Sequence, residues 1–137
     1  MKVRRSKKVM ENYVCPNCWH QIQDCTCEHY PPWDLVMIDV NIQDVVRILN
    51  EKGYQTVSCC ESHFDDNCYL YVAFPMKYDL ELPEGFEYKK GACSIAYGFK
   101  KKEREDIELY NKVKAEKLKT LLEWAEALPK NPMKFQR

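Results

Sequence analysis

NIQDVVRILNEKGYQTVSCCESH, residues 41–63, predicts a helix followed by a stop and a strand. Asn41 is a good N-cap, because its side-chain oxygen can accept a hydrogen bond from a backbone N–H of the first turn. Apolar residues then recur at helical spacing and predict one buried stripe, Ile42, Val45, Val46 and Leu49. Gly53 stands just past the expected helix end, where glycine is common. We expect a strand over residues 54–60 to follow at once.

The segments on either side predict further strands. Residues 35–40 are apolar and partly β-branched, which favours a strand ahead of the helix. The strand–helix–strand order implies that this strand and the strand over 54–60 are parallel, with a right-handed crossover. Alternation predicts another strand over 68–74, with Leu70, Val72 and Phe74 on one side. Residues 86–90 and 92–99 predict a hairpin around Gly91.

A long helix is predicted over residues 103–128, with Pro129 just past its end. Its apolar stripe consists of Ile107, Tyr110, Val113, Leu118, Leu121, Leu122, Ala125 and Leu128. The stripe breaks at Lys114 and Lys117, so packing across a sheet is favoured over a coiled coil. The alternating charges of this helix are typical of a solvated face.

These elements indicate an α+β fold: a small mixed β-sheet of about five strands packed by two helices, with an N-terminal zinc-knuckle module. We expect a flexible basic lead-in over residues 1–14, and the knuckle with a Pro-Pro connector over 15–33. The α+β domain then spans 34–128, and residues 129–137 form a C-terminal tail.

Four cysteines close to the N-terminus predict a metal site. They form a Cys-x-x-Cys pair and a Cys-x-Cys pair, and they are Cys15, Cys18, Cys25 and Cys27. A turn of this kind can aim two thiolates at one ion, and four thiolates make a closed tetrahedral Zn²⁺ site. The loop has too little apolar content to fold alone, so the metal would supply the folding energy.

Two alternatives remain for this segment. His20 or His29 can replace one cysteine as a ligand. Cys15 and Cys18 can instead form a thioredoxin-like redox pair. That second interpretation needs the pair at the start of a helix within a strand–helix–strand unit, and the polar run over 15–27 does not supply one.

A second cluster of thiol and imidazole groups stands where the strand over 54–60 ends. Cys60 and His63 form a Cys-x-x-His pair that can bind a second metal, with Cys59, Cys68 or an acidic residue completing it. Ligands tend to bind beyond the carboxyl ends of parallel strands, which is where this pair is expected.

The same residues can be read in two other ways. A cysteine can act as a nucleophile that His63 activates, with Glu61 or Asp65 orienting the imidazole ring. The catalytic candidates are then Cys60, His63 and Glu61. Alternatively, one cysteine is simply a small buried apolar residue and the loop is polar because it is exposed.

LNEKGYQTVSCCESH, preceded by CPNC, CTC and YPPW, resembles small uncharacterised proteins of bacteria and their phages. They share a helix, a Gly-Tyr strand and a Cys-x-x-His end, and the resemblance covers residues 15–74. It brings no settled activity. It implies that Cys60, Glu61 and His63 form a site common to that family.

Composition restricts location and partners. The 21 Lys and Arg residues balance 21 Asp and Glu residues, but residues 1–8 carry five basic residues and no acidic one. A basic terminus can bind nucleic acid or an acidic partner, although it is more often a solvated end. No apolar run approaches the roughly 20 residues of a membrane span, and no apolar segment follows the basic start as in a secretory signal. We therefore expect a cytoplasmic protein with reduced cysteines.

The favoured function is a small zinc-binding module that contacts a protein or nucleic-acid partner, with an enzyme less favoured. The closed metal site, the basic tail and the aromatic residues Tyr13, Trp19, Tyr30 and Trp33 support it, because aromatic rings can stack on bases. One alternative is a thiol- or metal-dependent enzyme centred on Cys60 and His63. The other is a structural or assembly protein.

Overall fold

The computed structural model describes residues 11–27, 35–65, 68–89 and 93–131, which form an α+β fold. The strands are β1 (Tyr13–Val14), β2 (Val36–Met37), β3 (Ser58–Cys60), β4 (Tyr69–Ala73), β5 (Glu87–Lys89) and β6 (Ser94–Gly98). The helices are α1 (Gln43–Glu51), α2 (Lys101–Arg104) and α3 (Ile107–Ala127). The predicted fold class, the two main helices and the cysteine cluster ahead of them are confirmed.

The strands expected in one mixed sheet divide between two antiparallel sheets, and the predicted parallel pair is wrong. β2, which precedes the helix, pairs with β1. β3, which follows the helix, pairs with β4 at one edge of a sheet ordered β3-β4-β6-β5. The crossover rule holds only for strands of the same sheet. Here β2 is paired by a strand of two residues, which is too short to be recognised from its sequence pattern.

The first helix begins differently from the prediction. Val40–Ile42 form a 3₁₀ turn that leads into α1, so Asn41 lies inside this turn and does not cap the helix. The reason is a charged partner: the backbone N–H and Nδ2 of Asn41 donate to the two carboxylate oxygens of Glu61, at 2.9 and 3.0 Å. The predicted apolar stripe is buried, and Gly53 ends the helix with a φ of 93°.

One continuous core joins both sheets to α1 and α3. Leu70, Val72 and Phe74 bury one face of β4 as predicted. β5 and β6 form the predicted antiparallel pair, although Gly91 at its turn lies outside the described residues. The basic residues 1–8 and the Pro-Pro connector also lie outside them.

The helix predicted over residues 103–128 is interrupted. α2 ends at Arg104, and α3 starts after Asp106, whose carboxylate accepts the backbone N–H groups of Glu108 and Leu109. At the start of a new helix these two N–H groups have no intrahelical partner, and the Asp106 carboxylate supplies one. Ile107, expected in the stripe, is 48% exposed as a result. In the part of the chain that is described, no helix is both long and apolar enough to cross a membrane.

The end of α3 is held by residues that follow α1. Lys52 Nζ donates to the carbonyl oxygens of Ala125, Glu126 and Leu128, at 2.9, 2.6 and 2.6 Å. The Tyr54 hydroxyl donates to Pro129 O at 2.7 Å. These carbonyls stand at the negative end of the helix dipole, where a cation is stabilising. The contacts therefore fix α3 across α1 and the sheet.

We expect Lys52→Met to lower the free energy of unfolding by about 2 kcal/mol, because the charged donor for the last carbonyls of α3 is lost. Urea unfolding followed by circular dichroism measures this. The control is Lys130→Met, which removes an exposed lysine near the same helix end and should cost less than about 0.5 kcal/mol. Equal losses in both variants would contradict the capping role.

Candidate metal centres

The four predicted cysteine ligands converge. The sulfur atoms of Cys15, Cys18, Cys25 and Cys27 all lie within 4.8 Å of one another, and none of the four forms a disulfide bond. Tetrahedral Zn²⁺ with Zn–S bonds of about 2.3 Å places sulfur atoms somewhat under 4 Å apart. Cys15 is buried and the other three are half-buried. The cluster could therefore hold a metal ion with little movement.

A closed backbone turn aims the first pair. Cys15 N–H donates to His20 O at 3.0 Å, and Trp19 N–H donates to Cys15 O at 2.7 Å. Trp19 adopts a φ of 63°, a left-handed conformation that is rare for a residue with a side chain. The turn brings the N–H groups of Asn17 and Cys18 to within 3.2 and 3.4 Å of Cys15 Sγ. Such N–H groups stabilise a thiolate.

The sulfur atoms are electrostatically unequal. Burial opposes ionisation of Cys15, but the hydrogen bonds that its sulfur accepts from Cys18 and Asn17 outweigh burial and lower the pKa of Cys15 to about 6. Burial, together with the neighbouring Cys15 sulfur, raises the pKa of Cys18 and of Cys25. The Cys15 thiolate is thus favoured near neutral pH, whereas a bound cation would favour ionisation of Cys18 and Cys25.

The structure bears on both alternatives for this segment, a histidine ligand and a thioredoxin-like redox pair. His20 contributes its backbone carbonyl to the turn, and its ring is not part of the sulfur cluster. His29 lies outside the described residues. Cys15 and Cys18 lie in a turn between β1 and the 3₁₀ segment Ile22–Asp24, and not at the start of a helix as a thioredoxin-like pair requires.

Gln43, at the start of α1, anchors the knuckle to the domain. Its side chain is buried, and its Nε2 donates to Glu11 O at 2.6 Å and to Ile38 O at 2.9 Å. Its Oε1 accepts from Gln21 Nε2 at 2.9 Å. Val14, which precedes the first ligand, is buried in the main core. The four-cysteine segment is therefore packed against the domain and not tethered beside it.

The second cluster is completed by an acid that the sequence analysis did not identify. One ligand atom each from Asp39, Cys60 and His63 lies within 4.8 Å of the others. His63 Nε2 is 3.2 Å from Asp39 Oδ2. Asp39 follows the apolar residues of β2 and lies far from Cys60 in the sequence, so the sequence alone does not predict that the two are close in space. The one sequence feature that could have indicated a functional role is a charged residue at the end of an apolar run.

The neighbouring cysteines take no part in this cluster. Burial, together with electrostatic repulsion from the nearby Asp39, Cys60 and Glu61 side chains, raises the pKa of Cys59 to about 12. Cys59 is therefore a neutral thiol that packs against the core, as expected for a small apolar residue. Cys68, the other sulfur considered as a ligand, is half-buried and lies outside the three-residue group.

Glu61 is buried between three elements. Besides Asn41, its carboxylate accepts Lys114 Nζ at 3.0 Å, and the two side chains are 10% and 16% exposed. Burial opposes ionisation of Glu61, but the hydrogen bonds from Lys114 and Asn41 outweigh it and lower its pKa. Both oxygens are engaged, so the carboxylate holds the loop in place and is not available as a free base.

The same lysine holds the loop backbone. Lys114 Nζ donates to Ser62 O at 2.9 Å. Ser62 is fully buried with a φ of 78°, and its hydroxyl shares a hydrogen bond of 2.7 Å with the Tyr110 hydroxyl. A left-handed backbone at serine is strained, and it persists only where the surroundings determine it. The break in the α3 stripe at Lys114 is therefore the point where the helix contacts this loop, and not a solvated face.

Comparisons of the sequence and the fold with known proteins found no matching family, no matching curated protein and no matching solved structure. The resemblance to small bacterial and phage proteins accordingly stays a prediction. The two clusters must be interpreted from their own geometry.

We expect Lys114→Met to lower the free energy of unfolding by about 3 kcal/mol, because it leaves the Glu61 carboxylate buried without its cation. The double variant Glu61→Gln/Lys114→Met should recover part of this loss. Lys112→Met, an exposed lysine of the same helix, should change stability by less than about 0.5 kcal/mol. Chemical denaturation compares the variants. A loss in Lys114→Met no larger than in Lys112→Met would contradict the buried ion pair.

Proposed function

We propose that Cys15, Cys18, Cys25 and Cys27 bind one structural Zn²⁺, and that this protein is a zinc-dependent binding module. The convergence of four sulfur atoms within 4.8 Å, none of them in a disulfide bond, supports the proposal most directly. Four thiolates at tetrahedral spacing are typical of Zn²⁺ or of iron–sulfur centres. Zn²⁺ has no redox chemistry, and a site with four protein ligands leaves no position for a substrate. Both properties suit a structural role.

The position of the knuckle explains what the metal would stabilise. The first ligand follows buried Val14 on β1, and β1 pairs with β2 directly ahead of α1. Gln43 ties the same segment to the start of α1. Metal binding would thus hold β1, β2 and the helix start together, and its free energy would add to the stability of the domain.

A protein partner is favoured over nucleic acid. Residues 11–27 and 35–46 contain no Lys or Arg, whereas phosphate contacts depend on these cations. Beside the knuckle, Met37 on β2 is 67% exposed and Val40 is 42% exposed. Exposed apolar side chains at the edge of a short sheet favour contact with another protein. In the sequence, the basic residues nearest to the knuckle lie in residues 1–8, so any phosphate contact beside the knuckle would depend on that segment.

The metal assignment is tested by elemental analysis of zinc and iron in the purified chain. Cys18→Ser/Cys25→Ser should lose one Zn²⁺ per chain relative to the parent. The free energy of unfolding should fall by about 4 kcal/mol, the linkage expected when free zinc exceeds Kd a thousandfold. Cys93→Ser, a cysteine outside both clusters, should retain the parent's zinc. Iron in place of zinc, or unchanged zinc in the double variant, would contradict the proposal.

The partner class is tested by titrating the zinc-loaded chain with a fluorescent single-stranded RNA or DNA at about 50 and 200 mM salt. We expect any salt-dependent affinity to disappear when Lys2, Arg4, Arg5, Lys7 and Lys8 are all replaced by serine. Met37→Glu, which adds one negative charge on β2, should leave that affinity nearly unchanged. Affinity that survives the loss of the basic tail and falls in Met37→Glu would instead make the knuckle a nucleic-acid surface.

A further inference from the structure

We propose that Asp39, Cys60 and His63 form a second metal site, which binds one Zn²⁺-class cation and leaves its fourth position open to water or an added anion. The site is independent of the four-cysteine knuckle in its ligands. It lies where the end of β3 meets the turn ahead of α1.

The donor set and its spacing support a metal of this class. A thiolate, an imidazole and a carboxylate are all Zn²⁺ ligands, and three protein ligands with one open position are typical of sites where Zn²⁺ contacts a small molecule. The three donor atoms lie within 4.8 Å of one another, a spacing that a bound ion could close with small side-chain movements. The charges of one thiolate and one carboxylate would balance a divalent ion.

The same geometry disfavours a thiol nucleophile activated by a histidine and an acid. In such a relay the imidazole ring stands between the carboxylate and the nucleophile and contacts each through a different nitrogen. The carboxylate and the nucleophile are then too far apart to contact each other. Here a carboxylate oxygen of Asp39 and the Cys60 sulfur are themselves within 4.8 Å. The three groups converge on one point, as ligands do.

Backbone N–H groups contact two of the three ligand side chains and orient them. Ser62 N–H lies 3.3 Å from Cys60 Sγ, as Asn17 N–H lies 3.2 Å from Cys15 Sγ in the knuckle. Glu61 N–H donates to Asp39 Oδ2 at 3.2 Å. Hydrogen bonds of this kind orient metal ligands and tune their basicity. The left-handed Ser62 then directs the chain so that His63 returns towards Cys60.

The second cluster is accessible from solvent. The side chains of His63 and Asp39 are 49% and 31% exposed. A metal held by the second cluster would therefore face solvent on one side. An exogenous ligand could reach it without displacing a protein ligand.

Cobalt titration of the full-length chain tests the proposal. The chain is stripped of metal, kept reduced and titrated with Co²⁺, while absorption reports the ligand field. We expect two equivalents to bind in the parent and one in Cys60→Ser or His63→Ala. Asp39→Asn should lower the affinity for the second Co²⁺ by more than the roughly 10–100-fold that loss of an outer-shell partner costs, because we propose Asp39 as a direct ligand. Cys59→Ala, the matched control for the adjacent sulfur, should bind two equivalents.

Far-UV circular dichroism of each variant controls for folding of the domain, and the knuckle's own Co²⁺ absorption should persist in all of these variants. A single equivalent in the parent would overturn the proposal. So would a second equivalent that survives both Cys60→Ser and His63→Ala.

Azide tests the open position. Added to the fully loaded parent, it should change the part of the absorption that is missing in His63→Ala, and it should leave the knuckle spectrum unchanged. A second Co²⁺ that binds but does not respond to azide would overturn the open coordination position.

Discussion

The rest of this structure depends on how the buried Glu61 carboxylate is neutralised. A carboxylate this far from water is tolerated only with a cation and hydrogen-bond donors around it. Lys114 of α3 supplies the cation, and Asn41 at the entrance to α1 supplies two donors. Because Glu61 itself follows β3, one charge fixes the relative positions of two helices and the edge of the larger sheet.

The turn that Glu61 holds also connects the two candidate metal centres. Asp39, a donor of the second cluster, lies just ahead of Asn41, and Gln43 lies just after it. Gln43 carries the hydrogen bonds to the knuckle segment, at Glu11 and Gln21. Residues 39–43 are thus shared by both centres. A shift of this turn would change the second cluster and the docking of the knuckle together.

Local features of this fold could be predicted from the sequence, and contacts between distant segments could not. The α1 stripe and its Gly53 stop follow from short-range spacing, and so does the convergence of the four cysteines. The pairing of β1 with β2 was missed because a strand of two residues leaves no periodic signal. Lys114 was misread because a lysine on a helix is usually solvated. Its role depends on Glu61, which lies on another element.

The two centres also differ in what would assemble them. All four knuckle ligands come from residues 15–27, so a metal there would stabilise a local loop that has little apolar content of its own. The ligands of the second cluster come from the turn before α1 and from the loop after β3. In the folded chain these two segments are held beside each other by the contacts of Glu61 with Asn41 and Lys114. A metal in the first cluster would therefore support the fold, whereas the second cluster requires the fold to exist, as the proposed open site for an external ligand would need.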